Sequence, residues 1–308
     1  MRNRRIEEIR QHRAHGITAW LFAHEVCSGV TLFLRTENLC GINQQRVLWE
    51  AVIVVQVSEA TAQGQRAAQE DRFLSRAFND AALPDGGGWL LAVFDGHGGD
   101  LVAVHACLRF EEYFLEHLLE GERFSDALQM AIAQLATATR EYAAGSTASA
   151  TFIPLHRRYA YAAVVGDSPV IIRDRDGKIW VAPEHNARTN ERERDVACQR
   201  GARYDAGYLW TADGEYGLQL SRAIGDRNLG FLSQEPEIHA VPLGDDSFVI
   251  VASDGIVDSS HSYPAMHAKR VAEIVADGGD ANAIVEDALV RRTGDNITAV
   301  VWRQTPEA

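Results

Sequence analysis

WLLAVFDGHGGD, residues 89–100, is the stretch on which the fold turns. Residues 89–94 are an unbroken apolar run, short and rich in large side chains, which predicts a buried strand. Asp95 ends the run and Gly96 follows it. A glycine there lets a backbone carbonyl and a carboxylate approach the same point. Gly98 and Gly99 lead into a helix expected over about 100–120. Its apolar face reads as Leu101, Val104, Leu108, Leu115 and Leu118, and Gly121 ends it.

Four more aspartate-centred motifs lie along the chain: GQRAAQEDRF (64–73), VVGDSPV (164–170), IVASDGIVD (250–258) and RTGDNITAVV (292–301). Carboxylates in loops beside buried strands can gather at one edge of a sheet, where they suit hard divalent cations that prefer oxygen ligands. Together the motifs point to a metal-dependent hydrolase.

Around them, Ser125 is expected to cap a second helix reaching about Tyr142. Strands follow at 147–155, 159–165 and 169–173, and Asp176-Gly177 turns the chain into another at 179–182. Asn190 and Glu193 have capping-box spacing for a short polar helix that Gly201 closes. A strand at 248–252, a helix at 281–291 and a strand at 297–302 complete the pattern, and 30–34 and 47–57 are β-rich. Strands and helices come in blocks rather than strict alternation, which argues for α+β.

The chain has 308 residues, 46% hydrophobic and 24% charged, which is ordinary for a globular protein with a substantial core. Its formal net charge of −13 makes nucleic acid or an acidic membrane a poor partner. Cys27, Cys40, Cys107 and Cys198 form no zinc or C-x-x-C pattern, as expected in a reducing compartment. Cys107 and Cys198 read as apolar fillers in helices. The apolar stretch 17–34 is interrupted by His24 and Glu25 and is too polar for a membrane span or a signal peptide. These features lead us to expect a cytoplasmic monomer. The arginine-rich start (Arg2, Arg4, Arg5, Arg10, Arg13) reads as a solvated terminus.

FDGHGG, ASDGIVD and TGDN, with GSTASATF (145–152) and LSRAIGD (220–226), resemble the signatures of the metal-dependent protein phosphatases of the 2C family. The likeness runs from about Val52 to about Arg303. It implies an αββα sandwich of two mainly antiparallel sheets flanked by helices. It also implies a catalytic domain over 52–304, preceded by an extension (1–51) of unknown role. The implied activity is hydrolysis of phosphoserine and phosphothreonine in proteins by a water bridging two Mn²⁺ or Mg²⁺ ions. By the same resemblance Asp95 bridges the two metals, with the Gly96 carbonyl on one of them, and Asp254 and Asp295 serve the second. Glu70 and Asp71 form an acidic pair, either of which binds metal directly or through water. Asp167 and Asp258 match positions that hold a third, weaker cation in some members. Arg66 matches the phosphate-binding arginine, and His97 is placed to protonate the leaving oxygen. His185 reads as structural.

Two departures stand out: Pro169 where the family often has arginine, and Glu184 where aspartate is usual. Competing readings are a catalytically dead binding module on the same fold and a hydrolase of small phosphoesters. Cys40 and Arg46 fit the C-x₅-R spacing of cysteine-dependent phosphatases, but Leu39 replaces the usual histidine.

Overall fold

The computed structural model describes residues 23–26, 30–33, 53–257 and 263–306. Asp258, the arginine-rich start and the Cys40/Arg46 pair lie outside the described residues. Two antiparallel sheets face each other. The larger has seven strands, in the order Ala23–Val26, Val30–Phe33, Ile53–Ala62, Ile297–Pro306, Phe248–Ala252, Val170–Arg173 and Ile179–Val181. The smaller has five: Glu237–Pro242, Tyr159–Val165, Ala148–Pro154, Gly87–Phe94 and Arg72–Asn79. Helices α1 (Leu101–Leu119) and α2 (Phe124–Thr139) cover the outer face of the smaller sheet. Helix α3 (Glu191–Gln199) and a small three-stranded sheet form a flap with its own apolar cluster. Helices α4 (Pro264–Ala276) and α5 (Ala281–Arg291) cover the outer face of the larger sheet. The result is the expected α+β arrangement of four layers.

The central strands are apolar throughout because both of their faces are buried. In Gly87–Phe94, Leu90, Ala92 and Phe94 point to the layer under α1 and α2. Trp89, Leu91 and Val93 point between the sheets. In Phe248–Ala252, Val249 and Val251 enter that inter-sheet core while Phe248, Ile250 and Ala252 pack under α4 and α5. Trp89 and Trp302 meet edge to face across the inter-sheet layer, their ring centroids 5.8 Å apart. The antiparallel pair Ala23–Val26 and Val30–Phe33 extends the larger sheet, with Val30 opposite Gln56.

Several local expectations change. The buried face of α1 is Val102, Ala103, Ala106, Phe110, Phe114 and Leu118, whereas Leu101 and Leu108 are 61% and 73% exposed. Two phenylalanines supply the bulk, and two alanines let the helix lie close to the sheet; a count of leucines selects the wrong stripe. Helix α2 begins at Phe124 with Arg123 at its N-cap, so Ser125 lies inside the first turn and donates to Asp126 instead. Asn190 caps α3 by accepting from Glu193 N–H at 3.2 Å. Glu193 turns away to Arg222 and Ser221 rather than closing the box. Cys107 and Cys198 are free and half-buried, packed against apolar clusters as fillers. Among the described residues no helix is long and apolar enough to cross a membrane.

Candidate active site and metal centre

In an antiparallel sheet, the end of one strand lies beside the start of its neighbour. Arg72 pairs with Phe94, which brings Asp71 and Asp95 to the same edge. Ala252 pairs with Ala299 and Ile297 with Ala62, which brings Asp254 and Asp295 to that edge in the facing sheet. Ala148 pairs with Val165, and Asp167 follows in the next turn. The five aspartates therefore share one rim of the sandwich. Burial lifts the Asp95 carboxyl well above the ordinary carboxylate range, and the like charges of Asp71, Asp254, Asp167 and Asp295 lift it further. Burial, then Asp254, also raises Asp295 against the opposing pull of Arg66.

Asp71 and Glu70 part ways here. Asp71 is 3% exposed, and neither of its carboxylate oxygens has a hydrogen-bond partner. Burial pushes its carboxyl up to about 6 despite the relief offered by the nearby Thr298 and Ser253 side chains. Ser253 Oγ also accepts from Thr298 N–H at 2.9 Å, and Thr298 Oγ1 pairs with Thr61 Oγ1. Glu70 is half-buried and contributes its backbone, donating to Asn296 Oδ1 at 2.8 Å. A buried carboxylate without partners among like charges is the donor chemistry of a hard cation site. Among the described residues, no three His, Cys, Asp or Glu side chains converge as a ready-made cage. An ion in this rim would thus draw on one or two carboxylates each, with carbonyls and water completing its shell.

Asn296 holds the rim together. Its amide donates to Gln63 O at 2.9 Å and Ala68 O at 2.8 Å while its oxygen accepts from Glu70. The 63–70 loop is thereby tied to the Asp295 turn. Gly64 and Gly255 are needed for the same closeness, because a Cβ on either would overlap the backbone oxygen of Asp295 or Asn296. On the other sheet, Asp95 N–H donates to Thr147 Oγ1 at 3.0 Å, which pairs with Ser168 Oγ at 2.7 Å beside Asp167. Arg291 donates to Ile256 O and Val257 O, both at 2.6 Å, and fixes the turn after Asp254.

His97 gains a partner that its sequence context does not name. Its Nε2 lies 2.7 Å from Asp226 Oδ2, the aspartate that ends LSRAIGD. A three-stranded patch brings them together: Gly145–Ser146 pairs with Gly96–His97 on one side and Ile224–Gly225 on the other. The two side chains meet over Gly145, where a Cβ would overlap both Nε2 and Oδ2. In the sequence Asp226 is marked only as the last residue of the LSRAIGD motif, with nothing to pair it with His97. Arg66 is exposed, and its Nη2 donates to Asp295 Oδ2 at 2.5 Å.

His185 is fully buried and structural in setting. Its Nδ1 accepts from Gly166 N–H at 3.1 Å, so the proton sits on Nε2, facing Glu237 at 3.4 Å. Burial, then the Arg222 charge, lowers its pKa to about 4 from 6.5. The unfolded chain therefore binds this proton first as pH falls. Stability from His185 is complete above pH 6.5 and is lost progressively between 6.5 and about 4, by up to ~3 kcal/mol. His185→Asn, which keeps an acceptor near Nδ1 but cannot titrate, should flatten that part of the stability profile. Thermal melts from pH 7 to 4.5 check this, and an unchanged slope contradicts it.

Of the two departures, Pro169 lines an apolar cavity of about 230 Å³ beside Asp167, with Ala182, Pro183, Val257 and Ala268. Glu184 accepts from the Thr189 hydroxyl, and its carbonyl takes Asn190 Nδ2 at 2.9 Å, so it serves the start of the flap.

The protein phosphatase 2C family profile matches residues 55–297, which include every described aspartate of the rim. The chain belongs to the protein phosphatase 2C family. Probable protein phosphatase 2C 69 of Arabidopsis thaliana is 33% identical over 258 residues, 79% of this chain and 68% of its own length. Probable protein phosphatase 2C 52 of rice, Oryza sativa subsp. japonica, is 29% identical over 252 residues, 77% of this chain. That match takes in 48% of the rice protein, so the chain spans about half of that relative's length. Among solved structures, a sex-determining protein of C. elegans superposes with a TM-score of 0.68 at 27% identity, over 83% of this chain and 65% of that one. The catalytic domain of a serine/threonine protein phosphatase solved with two manganese ions gives a TM-score of 0.51 at 20% identity, over 82% of this chain and 99% of that one. The latter likeness shows a shared fold.

Proposed function

We propose that the chain removes phosphate from phosphoserine and phosphothreonine in proteins, with two Mn²⁺ or Mg²⁺ ions held at the aspartate rim. The observation that carries this reading is Asp71: a buried carboxylate with no hydrogen-bond partner, set among Asp95, Asp254 and Asp295. Asp71, rather than Glu70, is then the direct ligand of the acidic pair, and Glu70 acts through its backbone. Asp95, the Gly96 carbonyl, Asp254 and Asp295 would together hold the two ions. Asp167 and Asp258 would hold a third, weaker cation. The catalytic domain is taken as 52–304.

When bound, the cations would neutralise the rim and supply an activated water for attack on phosphorus. The chain's own residues do the rest. Arg66, exposed beside Asp295, can present a planar guanidinium to two phosphate oxygens. His97 can protonate the departing serine or threonine oxygen, and Asp226, 5% exposed at its side chain, fixes the imidazole's direction. Arg66→Ala should chiefly raise KM for a phosphopeptide, roughly tenfold for a lost charged hydrogen bond, with kcat changed far less. Steady-state kinetics on a phosphothreonine peptide checks this. A loss confined to kcat would place Arg66 outside phosphate binding.

A further inference from the structure

We propose that Arg66 is a latch that exchanges between Asp295 and the substrate phosphate, so that metal loading and phosphate binding help each other. This rests on the metal site proposed above.

The loop that carries Arg66 is positioned without its guanidinium. Asn296 ties down Gln63 and Ala68, Gly64 packs on the Asp295 carbonyl, and Gln63 Nε2 donates to Arg66 O at 2.8 Å. The side chain is therefore free to take its own partner, and the partner it has is a carboxylate of the rim. Asp295 Oδ1 accepts from Asn296 N–H at 2.7 Å, and Oδ2 accepts from Arg66 at 2.5 Å. Both oxygens of Asp295 are thus engaged. Arg66 also lies within the fields of Asp254 and Asp95, so its charge balances part of the rim.

A divalent cation approaching Asp295 meets this guanidinium, and two cations cannot share Oδ2 at contact distance without strong repulsion. Cation binding must therefore weaken the Arg66–Asp295 bond. The side chain of Arg66 is 56% exposed, so it can swing outward without disturbing the core. Released, its fork is open to solvent beside the rim, where a phosphate would approach. Linkage then runs both ways. A phosphate that draws Arg66 away leaves Asp295 open to metal, and metal that displaces Arg66 leaves it ready for phosphate.

The test reads metal affinity directly, without turnover. Mn²⁺ is titrated into metal-stripped wild type, Arg66→Ala, Asp295→Asn and the double variant, and affinity is taken from the Mn²⁺-dependent rise in melting temperature, which also registers weak sites. Circular dichroism first confirms that each variant is folded. Arg66→Ala should tighten Mn²⁺ binding by roughly 5- to 50-fold, the usual range of a coupling of this kind. In the Asp295→Asn background the same change should give a much smaller gain, because the latch has lost its catch and only Arg66's field on Asp254 and Asp95 remains. An equal gain in both backgrounds would mean that Arg66 acts on the other carboxylates through its field alone, and would overturn the latch. So would unchanged or weaker Mn²⁺ binding in Arg66→Ala. A wild type that binds no Mn²⁺ overturns the metal site itself and the latch with it, so the two failures are distinguishable.

Discussion

Asp95→Asn is expected to lower turnover by roughly 10³-fold or more, since several kcal/mol of transition-state stabilisation depend on a loaded rim. The fold should survive. The carboxyl of Asp95 is held well above its ordinary pKa by burial and by four neighbouring carboxylates, so its charge is a burden on the metal-free protein. A neutral amide of the same shape removes that burden and keeps the backbone bonds to Thr147. The melting temperature of the metal-stripped variant should therefore equal or exceed that of the wild type, while the rise on adding Mn²⁺ should shrink. Loss of activity together with a lower metal-free melting temperature would mean that Asp95 is a structural residue. Full activity in purified Asp95→Asn would remove it from the chemistry.

Gly145→Ala is the second large effect. The methyl group would occupy the space where His97 and Asp226 meet, and one of the two side chains must move. A general acid turned away from its leaving group costs on the order of 10²-fold in kcat. The loss should be larger for phosphoserine and phosphothreonine peptides than for aryl phosphates, whose leaving groups need little protonation. Overpacking should also cost about 1–3 kcal/mol of stability, because the strand pairs on both sides leave little room to yield. Parallel kinetics on alkyl and aryl esters, with melts on the same samples, separate the two consequences. Equal losses on both ester types would argue against proton transfer by His97.

The parts of the fold that were legible in the sequence are those where burial is two-sided. Gly87–Phe94 and Phe248–Ala252 are apolar at every position except the two glycines that open the first, because each lies between two layers. Edge strands have no such signature. Arg72–Asn79 has only Leu74 buried, and Glu237–Pro242 mixes His239 and Pro242 with a single buried valine. Neither stands out as a strand until its neighbour is known. Helix α4 is hard to see in the sequence for a different reason. Its buried face is Ala268, Val271, Ala272 and Val275, with His267, so it carries little apolar bulk. Its N-cap is Tyr263, in a left-handed conformation and without a side-chain cap bond, so Pro264 in the first turn is the one start signal it has.

The site divides in the same way. Asp71, Asp95, Asp167, Asp254 and Asp295 are each announced by a local motif, and antiparallel pairing then brings them to one rim. The partnership of His97 with Asp226 spans 129 residues and depends on a glycine between them, which no local pattern specifies. Glu70 and Asp71 are adjacent and chemically alike; only burial, 3% exposure for Asp71 against a half-buried Glu70, tells them apart. Asn296 reads in the sequence as part of GDN, yet its three bonds to the 63–70 loop are tertiary.

The central claim is that the aspartate rim is a metal site serving phosphomonoester hydrolysis. The measurement that meets it most directly is phosphate release from phosphoserine, phosphothreonine and phosphotyrosine peptides by the purified chain, first stripped with chelator and then titrated with Mn²⁺. The account predicts no release from the stripped protein, and release restored by Mn²⁺ on the phosphoserine and phosphothreonine peptides in preference to the phosphotyrosine peptide. Release that persists undiminished in chelator, or none on any peptide at saturating Mn²⁺, would contradict it.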